Sequence, residues 1–311
     1  MKYTDLRIVF MGTPEFAVAS LHALIQEGCN IVAVVTAPDK PAGRGMLVTQ
    51  SAVKKYAVEN NLPILQPDKL KSPEFIEALK SLQADLQIVV AFRMLPEVVW
   101  SMPTMGTINV HGSLLPQYRG AAPINWAVIN GEKETGVTLF KLQHAIDTGN
   151  ILLQTILPID ENENAGEVHD KMKELGANVL LQTVKGIAEQ SLQEFSQIET
   201  EGEIVLKHAP KIFTETCKID FIKSVEEVHN LIRGLSPFPG AFSFLHNKML
   251  KIYASKKEII APQHSIGEVV SDGKTFLKFA CSNGYIHVLQ LQLEGKKKMN
   301  VEDFLRGNKI V

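Results

Sequence analysis

The chain has 311 residues, 45% hydrophobic and 21% charged, with a formal net charge of −2. That length exceeds what a single core normally serves, so two domains are expected. The composition is that of an ordinary globular protein, and no apolar run approaches the ~20 residues of a membrane helix.

The opening "MKYTDLRIVFMGTPEFA" stops its apolar run at Gly-Thr-Pro, unlike a signal peptide, and lacks the Arg and Ser of a transit peptide. No membrane partner is implied, and cytoplasmic localisation is the default. The three cysteines, Cys29, Cys217 and Cys281, are far apart. An odd, scattered set argues against a disulfide framework and a Cys-based metal site, so no metal is expected. Charge is unevenly divided. From Lys207 onward 16 Lys/Arg face 10 Asp/Glu, a balance of +6, which leaves −8 for residues 1–206. A basic rear suits a polyanion, although solvated lysines on a small β domain would read the same way.

In chain order, "LRIVFMG" is a continuous apolar run, as for a parallel strand covered on both faces. "PEFAVASLHALIQEG" has helical spacing, with Pro14 at its start and Gly28 as its stop. "NIVAVVTAP" is a strand, "SAVKKYAVENN" a helix and "LPILQP" a short strand. "SPEFIEALKSL" is a helix opened by Ser and Pro, followed by the strands "ADLQIVVAF" and "GTINVH". This rhythm predicts an α/β fold with a doubly wound, Rossmann-like parallel sheet, whose ligands bind beyond the carboxyl ends of the strands. Two more strands, around 137–140 and 151–157, precede a long amphipathic helix, "AGEVHDKMKELGANVLLQTVKGI". Periodicity is lost over 192–210, which reads as a linker between a domain of 1–191 and one of 211–311. After the helix "SVEEVHNLIRGL" come short alternating runs, "AFSFL", "MLKIYAS", "IGEVVS", "TFLKFA" and "YIHVLQLQL", separated by turn residues. They predict a smaller C-terminal OB-like β-barrel domain. "EGKKKMN" reads either as a hairpin tip or as a strand-to-helix connection.

The first strand ends in "GTPEFA", with a single Gly12 where a dinucleotide site needs Gly-x-Gly-x-x-Gly, which argues against NAD. No Walker loop, nucleophile elbow or His-Glu-x-x-His motif is present either. What remains is polar residues at strand ends. Asn109 and His111 are two apart and share one side of a strand. "HAIDTGN" puts Asp147 in a turn between the next two strands. An amide donor, an imidazole and a carboxylate suit acyl transfer to an amine. The amide would stabilise an oxyanion, and the imidazole, oriented by the carboxylate, would move a proton. The same residues also fit a purely structural role, since a His at a strand end and Asn or Asp in turns commonly bond local backbone. Ser113 stands two residues from the His without an elbow and reads as a loop-shaping hydroxyl.

The segments "RIVFMGTPEFA", "TAPDKPAGRG", "NVHGSLLPQYRGAAPINWAV", "TGVTLFKLQHAIDTGN" and "LIRGLSPFPGAF" resemble, in order and spacing, the methionyl-tRNA formyltransferase family along nearly the whole chain. Asn109 through "SLLP" with "DTG" marks the wider group that uses 10-formyltetrahydrofolate. "PDKPAGRG", "RGAAPI" and "SPFPGA" point to the tRNA enzyme. The resemblance implies that Asn109, His111 and Asp147 are catalytic. It implies that the folate co-substrate lies along Phe92, Arg93, Met94, Leu95 and Pro96 and against Ser113, Leu114, Leu115 and Pro116. It also implies that the 37–49 loop, through Lys40 and Arg44, meets initiator methionyl-tRNA, with the basic rear domain as a second tRNA surface and the protein a monomer. "AFRMLP" departs from the Tyr-Gly that many members carry before the Leu-Pro. A carboxylate beside His111 would raise its pKa above ~6.5 and favour an oxyanion-stabilising cation, whereas relaying the amine's proton needs the free base, and the sequence leaves the resting form open. Rival readings are a formyltransferase for an amino-sugar nucleotide or a glycinamide ribonucleotide, and a folate- or RNA-binding protein without catalysis.

Overall fold

A computed structural model describes residues 1–42, 47–197 and 205–308. The chain forms two compact units. The first comprises residues 1–120, 136–157 and 169–207, and the second residues 121–135, 158–168 and 208–311.

The first unit is built on a seven-stranded sheet. Its spatial order is Ile151–Pro158, Glu134–Lys141, Thr107–His111, Leu86–Val90, Ile8–Gly12, Ile31–Val35 and Ile64–Leu65. The five strands from Thr107–His111 to Ile64–Leu65 run parallel, and Glu134–Lys141 is antiparallel to Thr107–His111. Strand order reverses about Ile8–Gly12, as the doubly wound reading expects. Ile8–Gly12 and Leu86–Val90 are buried throughout. Burying each large aliphatic side chain there contributes about 1.5–3 kcal/mol. Gly12 allows close packing at the strand end, because a Cβ would come within 2.7 Å of that of Ala17.

Local signals set the helix boundaries. Ser51 and Ser72 accept from the backbone N–H of Lys54 and Phe75, capping helices Ala52–Glu59 and Pro73–Ser81. Pro14 caps Glu15–Gln26 from just outside the helix, and Gly28 beyond its end has φ +77°. The 37–49 loop contains a short antiparallel ribbon, Lys40–Ala42 against Leu47–Thr49, which alternation in so short a Gly/Pro-rich stretch did not reveal.

The second unit carries helix Val225–Gly234, opened by a capping box of Ser224 and Glu227. Its sheet is antiparallel, in the order Ala241–Leu245, Lys248–Ile259, Gly284–Leu293, Leu277–Cys281 and Val269–Ser271, with Met299–Asn300 on Gly284–Leu293. Register shifts between Ile252 and Ser255 bend the longest strand, and the sheet curls as an OB-like half-barrel around Ile252, Phe279, Val288 and Phe304. "EGKKKMN" satisfies both of its readings. It forms the tip between Gly284–Leu293 and Met299–Asn300 and leads into helix Val301–Gly307.

Candidate active site

Strand Thr107–His111 alternates buried Ile108 and Val110 with Asn109 and His111, so the two polar side chains share one side. His111 is itself only 6% exposed. Its Nε2 lies 3.0 Å from the Tyr118 carbonyl. A carbonyl oxygen only accepts, so Nε2 carries the proton and a neutral His111 has its lone pair on Nδ1. Nδ1 faces Asp147 Oδ2 at 3.9 Å, beyond direct hydrogen-bond range but near enough for the carboxylate to favour an imidazolium. Burial holds the His111 pKa below the ordinary histidine value, and the Asp147 carboxylate and the Tyr118 carbonyl offset it only in part. The expectation of a raised pKa is thus corrected. Desolvation outweighs the carboxylate and favours the neutral imidazole.

Asp147 adopts φ +55°, and Gly120 N–H donates to its Oδ2 at 3.0 Å. The turn following it depends on Gly149, where a Cβ would stand 1.6 Å from the Lys141 carbonyl oxygen. Gly149→Ala is expected to cost about 3 kcal/mol or more through overpacking. That lowers the unfolding midpoint by roughly 6–12 °C. An unchanged thermal transition would show that the turn can shift freely.

Ser113 is buried and donates to the Gln117 carbonyl at 2.7 Å, which is a loop-shaping role. Thr138 Oγ1 donates to the Ser113 carbonyl at 2.6 Å and accepts from Leu115 N–H at 3.1 Å and Gln154 Nε2 at 2.8 Å. Leu115–Pro116 is cis. Gly136 lets Leu114 lie against its strand, since a Cβ there would meet the Leu114 side chain at 2.4 Å. The hydrogen bonds of Ser113 and Thr138 hold Ser113, Leu114, Leu115 and Pro116 in a turn directly after His111.

Phe92, Arg93, Met94, Leu95 and Pro96 follow the adjacent strand, in which Val89 pairs with Asn109. Leu95 is buried in a core cluster with Val89 and Val99, and Phe92 packs partly against it. The Arg93 guanidinium donates to the carbonyls of Pro67 and Asp68. Met94 is 77% exposed, and Pro96 caps the short helix Glu97–Trp100. His144 Nε2 lies 3.2 Å from the carboxylate of Glu97, the first residue of that helix, which ties the helix to the loop bearing Asp147. Lys40 is exposed, and Arg44 lies outside the described residues. Among the described residues no group of three or more His, Cys, Asp or Glu side chains is placed to hold a metal ion.

Sequence reasoning missed Thr138 and Gln154, which fix the 113–116 turn, and Arg119 and Gln197, which sit on the Asp147 loop. A Thr in a strand and a Gln in an aperiodic stretch carry no local signal.

A formyl transferase family model matches residues 6–184, and a model of the formyl transferase C-terminal domain matches 211–309. A methionyl-tRNA formyltransferase of Bacteroides thetaiotaomicron is 53% identical over 312 residues, covering 99% of this chain and 97% of its own. The chain belongs to the methionyl-tRNA formyltransferase family. A second methionyl-tRNA formyltransferase, of Flavobacterium johnsoniae, is 50% identical over 306 residues, covering 97% of this chain and 96% of its own. Solved structures share the fold. WlaRD, a sugar 3N-formyl transferase determined with dTDP and 5-N-formyl-THF, aligns with a TM-score of 0.68 at 21% identity over 94% of this chain and 99% of its own. HypX from Aquifex aeolicus in complex with tetrahydrofolic acid aligns at 0.65 and 18% identity, over 98% of this chain and 48% of its own.

Proposed function

We propose that this formyltransferase moves a formyl group from 10-formyltetrahydrofolate to the α-amino group of initiator methionyl-tRNA, giving N-formylmethionyl-tRNA for translation initiation. The observation that carries the reading is 53% identity to a methionyl-tRNA formyltransferase along 99% of the chain. The structures of WlaRD with 5-N-formyl-THF and of HypX with tetrahydrofolic acid support a folate co-substrate. The residues present fit one. Exposed Met94 and the 113–116 turn flank the strand end carrying Asn109 and His111.

Bound folate supplies the formyl group. Asn109 presents its amide to the formyl oxygen as negative charge grows there. Neutral His111 accepts, through Nδ1, the proton shed by the attacking amine and passes it to folate N10 as the formyl C–N10 bond breaks, while Asp147 stabilises the imidazolium between the two transfers. The basic form is available at neutral pH because burial has depressed the pKa of His111. We assign residues 1–191 to catalysis, 192–210 to the linker and 211–311 to a basic tRNA-binding domain, with the protein acting as a cytoplasmic monomer. Lys40 and Arg44 contact acceptor-arm phosphates in this reading. Replacing either with Ala should reduce the slope of log affinity against log salt by about 0.7–0.9 per lost phosphate contact; an unchanged slope would remove that residue from the interface.

The deciding assay incubates the protein with 10-formyltetrahydrofolate and methionyl initiator tRNA and looks for N-formylmethionine after hydrolysis of the ester. Formylation of an amino-sugar nucleotide or a glycinamide ribonucleotide instead would overturn the assignment.

A further inference from the structure

Gln197 lies in a stretch whose sequence lacks periodicity, yet its side chain is used at both ends. Its amide nitrogen donates to the Asp147 carbonyl at 3.0 Å and to the Gly149 carbonyl at 2.8 Å. Its amide oxygen accepts from Arg119, from Nε at 3.1 Å and Nη2 at 2.7 Å. The residue after Arg119 is Gly120, whose N–H holds the Asp147 carboxylate at 3.0 Å. The bonds therefore close a ring around Asp147: carboxylate to Gly120, Arg119 to Gln197, and Gln197 back to the Asp147 carbonyl. At the centre of that ring Asp147 is in the left-handed region, φ +55°. That conformation is disfavoured for a non-glycine residue and persists where its surroundings over-determine it.

The other end of the same stretch attaches to His111. Tyr118 N–H donates to the Lys207 carbonyl at 2.7 Å, and Lys207 N–H donates to Gln117 Oε1 at 2.8 Å. Tyr118 is the residue whose carbonyl holds His111 Nε2. Both members of the His111–Asp147 pair are thus tied to segments a sequence reading leaves as passive connection.

We propose that Gln197, braced by Arg119, is a positioning residue for formyl transfer: it holds the left-handed turn at Asp147 so that the carboxylate faces His111. The proposal rests on the reading of Asn109, His111 and Asp147 as catalytic. Gln197 touches no reacting atom, so its loss should misplace the carboxylate without removing a substrate contact.

The test is steady-state kinetics with 10-formyltetrahydrofolate and methionyl initiator tRNA. Gln197→Ala should lower kcat by about 10–100-fold, the scale of a misplaced catalytic group. KM for both substrates should stay within about threefold. Gln197→Glu, which keeps the acceptor for Arg119 but loses both donors to the carbonyls, should lose kcat to a similar degree. It also carries the test if the Ala variant does not fold. In an Asp147→Ala background the further loss from Gln197→Ala should be under about twofold, because the two act through one group. Equal losses in the two backgrounds, or a loss confined to KM, would overturn the proposal. Normal Gln197→Ala turnover beside a crippled Asp147→Ala sinks the proposal alone, whereas normal turnover in Asp147→Ala sinks the catalytic reading and the proposal with it.

Discussion

His111→Ala should lower kcat by about 10²–10⁴-fold, the usual contribution of a positioned general base, with little change in tRNA affinity. The imidazole is almost wholly enclosed, and its one close polar contact uses Nε2 on the Tyr118 carbonyl. Nδ1 is left to take a proton, with Asp147 Oδ2 at 3.9 Å to receive the charge that follows. The pH dependence fixes the sign of the argument. Burial depresses the pKa, so the basic form prevails at neutral pH and is lost as pH falls through the depressed value, below the ~6.5 of a free histidine. Wild-type kcat should therefore show an acid limb there, and His111→Ala should lack it. Stability should follow the same direction. The unfolded chain takes up the proton at ~6.5 and the folded chain only at lower pH, so the contribution of His111 is complete above ~6.5 and lost as pH falls. A His111→Ala profile with an unshifted acid limb, or near-normal turnover, would assign the base elsewhere.

Why the protonation state escaped a reading of the sequence is instructive. The carboxylate was visible in "HAIDTGN", and its effect on a nearby imidazole has a known sign. Burial was not visible, because it arises from strands and turns distant in sequence. Asp147 illustrates the same limit. Its membership of the site could be read from the motif, but its aim depends on Gly120 and Gln197, 27 and 50 residues away. Arg93 is a sharper case. The resemblance places it along the folate, and in the fold its guanidinium also engages the carbonyls of Pro67 and Asp68, while Arg93 and Met94 are both exposed on that loop. The parallel sheet, by contrast, was legible strand by strand, since continuous apolar runs between helical periods have few other solutions. Helix Val301–Gly307 was legible only as one of the two readings of "EGKKKMN", because seven residues with only Val301, Phe304 and Leu305 buried make a short pattern.

Asn109→Ala should cost about 10²–10³-fold in kcat, the loss measured when one side-chain amide is removed from an oxyanion site. Asn109 is half-buried on the side of the strand that also carries His111, and its side chain makes no hydrogen bond among the described residues. A half-buried amide without a protein partner stays open to a ligand oxygen. It is suited to a site in which the formyl oxygen completes its hydrogen bonding, and most strongly when that oxygen carries charge. Binding of the uncharged formyl group gains less from the same donor, so KM for the folate should change little and the deficit should appear in kcat. Asn109→Asp separates this role from simple shape. It preserves the volume but replaces a donor with an acceptor facing the same developing charge, and should be at least as damaging as Ala. If Asn109→Asp instead turns over like the wild type, the amide donates nothing to the transition state and another group must hold the oxyanion.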